Sequence, residues 1–168
     1  MNVKLLLHGF GRSLGIGLIL GLAACQSATG TPAPLTGQVT LRFDPALESQ
    51  TGHRLDVDTG QAVGDAAGDI ELRVSGGSTV FNILKPVNGA QAKFVGTTGP
   101  DEPACLASLP EMTDHNIPEV AAGGYLCLLS NESRLARLSI KEVGRTAEGT
   151  VEVQLEFTSW PARAAAEP

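Results

Sequence analysis

From Val39 onward the apolar side chains recur at every second position, and no stretch after residue 24 sustains the 3.6-residue apolar period of a helix. Val39, Leu41 and Phe43 alternate with Thr40 and Arg42. Leu55 and Val57 alternate with Arg54, Asp56 and Asp58, and Ile70, Leu72 and Val74 with Asp69, Glu71 and Arg73. Successive side chains of a pleated strand point to opposite faces, so each run offers one face to a core and one to water. Thr79–Leu84, Ala92–Val95, Tyr125–Leu129, Leu135–Lys141 and Val151–Phe157 read as further strands, with Pro86 and Asn88-Gly89 turning the chain between the first two. The expected fold is mainly β: a single small β-sandwich or partly open barrel of about eight short antiparallel strands with one short helix, spanning 38–160.

The helix belongs to the one stretch that breaks the alternation. Asp101 suits an N-cap, Pro103 the first turn, and Pro110 sets a limit near Leu109. Leu135–Lys141 and Val151–Phe157 are expected to pair as a hairpin. Lys141 then faces Glu152, Ser139 faces Gln154 and Arg137 faces Glu156 on the wet side. Ile140, Leu138 and Ala136 meet Val153, Leu155 and Phe157 on the buried side.

The first 24 residues have a different character. Met1–Arg12 carries Lys4 and Arg12 and no acid, and Leu14–Ala24 (LGIGLILGLAA) is uncharged and mostly apolar. Eleven residues span roughly 16 Å as a helix, far short of the roughly 30 Å hydrocarbon core, so a retained transmembrane anchor does not fit. Leu22-Ala23-Ala24-Cys25 closes the run, and this stretch resembles the lipobox of bacterial lipoproteins. That resemblance implies removal of the signal peptide 1–24, a diacylglycerol on Cys25 and attachment to a membrane through it. The implied location is the extracytoplasmic side of a bacterial cell envelope, with Gln26 leaning towards the outer membrane where one exists. An ordinary cleaved signal peptide, which leaves Cys25 a spare thiol, is the competing reading. Residues 26–37 (QSATGTPAPLTG) are small, polar and rich in Pro and Gly; with Cys25 they form a lipidated, flexible tether, 25–37. Residues 161–168 read as a disordered tail.

Loss of Lys4 and Arg12 with the signal leaves ten bases against 18 acids, a net charge of −8. Nucleic acid is not an expected partner, because phosphate binding needs clustered Lys and Arg. Once Cys25 is set aside, Cys105 and Cys127 remain as an even pair, which in an exported domain reads as a disulfide, with two free buried thiols as the alternative. Such a bridge would pin the short helix to the strand beginning near Tyr125. The mature part has only six aromatic residues to build a core from (Phe43, Phe81, Phe94, Tyr125, Phe157 and Trp160), so a covalent staple would help hold the fold.

No reaction is legible. The densest polar cluster, Asp56-Val57-Asp58-Thr59-Gly60 with Asp65 and Asp69, fails the EF-hand spacing: positions 5, 6 and 12 counted from Asp56 hold Gly60, Gln61 and Ala67. It reads instead as a turn. No nucleophile elbow, phosphate loop, dinucleotide fingerprint or Cys/His metal spacing occurs, and His53 and His115 read as surface residues. No catalytic residue, metal or other cofactor is therefore expected. Asn131-Glu132-Ser133 reads as a hairpin turn.

Leu55–Gly60, Asp69-Ile70, Leu84–Ala90, Gly124–Ala136 and Thr158–Trp160 together resemble a small β-rich domain of exported bacterial proteins, with departures at Leu129, Ser130, Ser133 and Leu135. The resemblance carries no known activity and implies only fold and compartment. The expected function is a lipid-anchored, non-enzymatic binding or envelope-organising module with an envelope protein or polymer as partner. The alternative is a small envelope hydrolase whose site assembles only in three dimensions.

Overall fold

The computed structural model describes residues 32–47, 50–64, 67–75, 81–118 and 120–162. The signal segment, the lipobox with Cys25, the tether to residue 31, Asp65, Thr79, Val80 and the tail beyond residue 162 lie outside them. Among the described residues nine strands form two antiparallel sheets. In chain order they are β1 (Leu35–Phe43), β2 (Arg54–Asp56), β3 (Gln61–Val63), β4 (Ile70–Ser75), β5 (Phe81–Pro86), β6 (Gln91–Gly96), β7 (Tyr125–Leu129), β8 (Leu135–Arg145) and β9 (Val151–Ser159). The larger sheet runs β1-β9-β8-β7-β6 and the smaller β3-β2-β4-β5. Neither sheet closes on itself. The sandwich alternative holds and the barrel does not.

The alternating residues put the core between the sheets. Leu41, Leu55, Ile70, Leu72, Leu84, Leu126, Leu128, Leu138 and Leu155 are all wholly buried and belong to one cluster. Each fully buried side chain of this size contributes about 1.5–3 kcal/mol of transfer free energy. Val151, Val153, Leu155 and Phe157 line the inner face of β9, while Glu152, Gln154 and Glu156 point away.

Three departures from the sequence reading have physical causes. β1 begins at Leu35, within the stretch read as tether, because Leu35, Thr36 and Gly37 pair with Ser159, Thr158 and Phe157. The extra strand, β3, is a short return of β2 (Leu55 opposite Ala62) with no alternating pattern to announce it. The β8–β9 hairpin exists, but its register is two residues away from the expected one: Leu138 faces Phe157, Ile140 faces Leu155 and Ser139 faces Glu156. A shift of two preserves which face every side chain occupies, so alternation alone could not choose between the two registers. The strands run on to Arg145 opposite Val151, and the register shifts between Ile140 and Glu142. That bulge absorbs two successive charged residues, Lys141 and Glu142, so that Val143 returns to the core side. Lys141 Nζ then reaches Glu156 Oε2 at 2.7 Å rather than Glu152.

The turn at Asn88-Gly89, with φ of 55° and 88°, carries the chain from β5 in one sheet to β6 in the other. Helix α1 (Glu102–Ala107) is capped by the Asp101 side chain, which accepts from Ala104 N at 2.9 Å, and a 3-10 turn at Leu109–Glu111 follows. Cys105 and Cys127 are joined, with Cα atoms 5.3 Å apart. The bridge fastens α1 to β7 over the outer face of the larger sheet, and Met112, Leu135 and Trp160 pack around it as a second, smaller core. No described helix is long and apolar enough to cross a membrane.

Candidate functional site

Three aspartates meet at one end of the sandwich. Asp56 ends β2, Asp58 lies in the turn after it, and Asp69 immediately precedes β4. Their carboxylate oxygens lie within 4.8 Å of one another, and among the described residues this is the one group of three that could together hold a metal ion. The sequence had grouped these aspartates, but only the fold brings Asp69 onto the other two. Oxygen-rich groups of this kind suit hard cations.

Each of the three carboxylates already has structural work. Asp56 Oδ1 accepts from Asp58 N at 2.9 Å and Thr59 N at 3.1 Å, an Asx turn that leads through Gly60 (φ 74°) into β3. Asp69, only 1% exposed, accepts from Val57 N at 3.0 Å through Oδ2 and from Asn131 N at 3.1 Å through Oδ1. It therefore ties the β2–β3 turn of one sheet to the β7–β8 turn of the other. Asp58 Oδ1 accepts from Ser130 Oγ at 3.1 Å and lies 3.6 Å from Arg134 Nε. The Asn131-Glu132-Ser133 segment is the expected hairpin turn, closed by Ser130 N donating to Arg134 O at 2.8 Å.

Crowding three acids costs free energy. Burial, and then the neighbouring Asp69 charge, push the Asp58 carboxyl up to about 6, against a smaller lowering by the Ser130 hydroxyl. Burial also raises Asp69, while the Asn131 and Val57 amides pull it back. A carboxyl near 6 can act as a general acid, so its placement bears on any catalytic reading. A cavity of about 350 Å³ opens beside the cluster, also lined by Asn88, Asn131 and Glu132.

A second, larger cavity of about 620 Å³ lies against the smaller sheet. Arg54, Glu71 and Lys85 form one row across β2, β4 and β5, on the face opposite Ile70, Leu72 and Leu84. Arg73 stands two residues beyond Glu71, and the far wall is the segment Asp114–Asn116, held beside β5 by the Ile117–Leu84 bridge. Glu71 is 6% exposed and lies 3.0 Å from Arg73 Nε, 3.4 Å from an Arg54 terminal nitrogen and 3.7 Å from His53 Nε2. His53 is itself 1% exposed, which corrects its reading as a surface residue: the buried carboxylate draws the ring inward. His115 is at the surface as expected, with Nδ1 2.9 Å from Asp114 Oδ1. The residues of this cavity are scattered over 63 positions of sequence, from Arg54 to Asn116, and no spacing motif marks them.

No family model matches the chain. No curated protein matches it either. Among solved structures it is similar to a crystal structure of an apo HmuY analogue from Tannerella forsythia (TFO), at 7% identity and a TM-score of 0.41, over 78% of this chain and 98% of the other. At that distance the likeness bears on neither site.

Proposed function

We propose that this chain is a lipid-anchored, non-enzymatic binding module on the extracytoplasmic side of a bacterial envelope. The observation that carries the reading is the buried Cys105–Cys127 bridge, since such bonds persist in oxidising compartments. It agrees with the Leu22-Ala23-Ala24-Cys25 stretch, which supplies the third cysteine with a different fate. Cys25 would hold the protein on the membrane, the outer one where two exist, and an envelope protein or polymer would be its partner. Support for binding over catalysis comes from the aspartates: the cluster with the densest chemistry spends its oxygens on backbone amides and turns.

One observation favours the rival reading, a small envelope hydrolase. Asp58, with its pKa near 6 beside Asp69, could serve as a general acid. The two readings separate on Asp58→Asn. A binding module keeps its cellular role wherever the fold persists, whereas a hydrolase loses it with the fold and attachment intact. The anchor is tested separately by mass spectrometry of the native protein. A diacylglyceryl adduct on Cys25 supports it, and an unmodified mature chain released to the medium overturns it. Crosslinking in intact cells then identifies the partner.

A further inference from the structure

The cation-lined cavity on the smaller sheet is unusual for a protein this acidic. With the signal removed, ten Lys and Arg residues remain, and three of them, Arg54, Arg73 and Lys85, line this one cavity. Their anionic neighbours do not serve them equally. Glu71 stands opposite both Arg54 and Lys85 in the sheet register, yet its carboxylate turns to Arg73 and Arg54 and lies beyond ion-pair distance of Lys85. Asp114 is engaged by His115. Lys85, half-buried as a residue on the cavity wall, has no ion-pair partner among the described residues, and Asn116 also lines the space. A lysine on the wall of an open cavity with no carboxylate in ion-pair reach is placed to pair with an anion that enters the cavity.

We infer that the cavity is a binding site for a polar ligand bearing a carboxylate, seated on the Lys85 ammonium. The inference rests on the binding-module reading and adds the ligand class to it. Charge selects the anion. Three cations against Glu71 and Asp114 leave one positive charge, which one carboxylate neutralises and a phosphate dianion exceeds. The guanidiniums that would grip a phosphate with paired donors are already turned to Glu71. Size and lining select the rest of the ligand. About 620 Å³ has room for a molecule of several polar groups, and among the described residues His115 supplies the one aromatic ring on the wall, so recognition comes from charge and hydrogen bonds rather than stacking.

Three probes with one polar body and different charge test this: glucuronate, glucose and glucose 6-phosphate. They are titrated into the mature protein purified from cells and followed by the amide NMR shifts of Lys85, Asn88 and Asn116. Glucuronate is expected to shift these amides saturably and glucose not to. Lys85→Gln is expected to weaken glucuronate about tenfold at an unchanged Tm, and Lys85→Arg to restore it. Equal shifts with glucose, tighter binding of glucose 6-phosphate, no saturable shift with glucuronate, or undiminished affinity in Lys85→Gln would each overturn the assignment. None of these outcomes touches the anchor or the compartment, which the modification on Cys25 reads independently.

Discussion

Asp69→Ala is the perturbation that weighs the carboxylate cluster as a structural device. The substitution removes both acceptors of a side chain that is 1% exposed and orphans two amides, Val57 N at 3.0 Å and Asn131 N at 3.1 Å. Each buried donor left without a partner costs about 1–3 kcal/mol, so the gross penalty is about 2–6 kcal/mol. Relief of the repulsion that Asp69 exerts on Asp58 returns about 1 kcal/mol, leaving a net loss of about 1–5 kcal/mol. For a domain of this size that lowers Tm by about 3–15 °C. Asp69→Asn keeps the shape and one acceptor but sets its amide nitrogen against the other N–H, so its loss falls between alanine and the native residue. Urea and thermal unfolding followed by circular dichroism, with the disulfide intact, measure all three. A loss below about 1 kcal/mol for Asp69→Ala would contradict the reasoning. A gain in stability would contradict it more sharply, because it would mean that three carboxylates are held together against repulsion, as in a site built for a cation.

Asp58 makes stability depend on pH in a defined direction. Its folded pKa of about 6 lies above its ordinary value of 3.8, so its contribution is full below about pH 4 and is lost as pH rises to about 6. The full shift corresponds to about 3 kcal/mol; beside a water-accessible cavity about 1–2 kcal/mol is expected. Urea midpoints from pH 4 to 7 should therefore show Asp58→Asn gaining on the native protein as pH rises, and parallel curves would rule the effect out. Gly60 has φ of 74°, and a Cβ there would stand 2.6 Å from Phe157 Cζ. Gly60→Ala should cost about 2–3 kcal/mol, whereas Gly89→Ala, with open space around its Cβ, should cost only its backbone strain of about 1 kcal/mol. Equal losses for the two glycines would show that the Phe157 contact is not what matters.

What the sequence disclosed and what it concealed divide along one physical line. Period-two alternation reports faces, so β8 and β9, the buried Leu138, Ile140 and Leu155, and the wet Glu152 and Glu156 were all legible. Register is invisible to alternation at shifts of two, and the bulge at Lys141 appears only as two charges in succession before Val143. β3 stayed hidden because Gln61-Ala62-Val63 has no buried side to alternate with. The pairing of Cys105 with Cys127 was legible from parity, since setting aside Cys25, at the end of a lipobox-like run, leaves two cysteines that can pair. The sites were less legible because they are made across strands. Asp69 meets Asn131 at a separation of 62 residues, and the row of Arg54, Glu71 and Lys85 exists only once β2, β4 and β5 lie side by side. His53 looked like a surface residue because the Glu71 that draws it inward is 18 positions away.

A thiol count on the native protein tests the central claim most directly. The chain has three cysteines, and the account assigns Cys25 to a thioether and Cys105 and Cys127 to a disulfide. Protein taken from cells without reductant, unfolded in guanidinium with a maleimide present, should carry no label. After reduction it should carry two, on Cys105 and Cys127. Three labels before reduction would place the chain in a reducing compartment with no lipid attached, and would contradict the account.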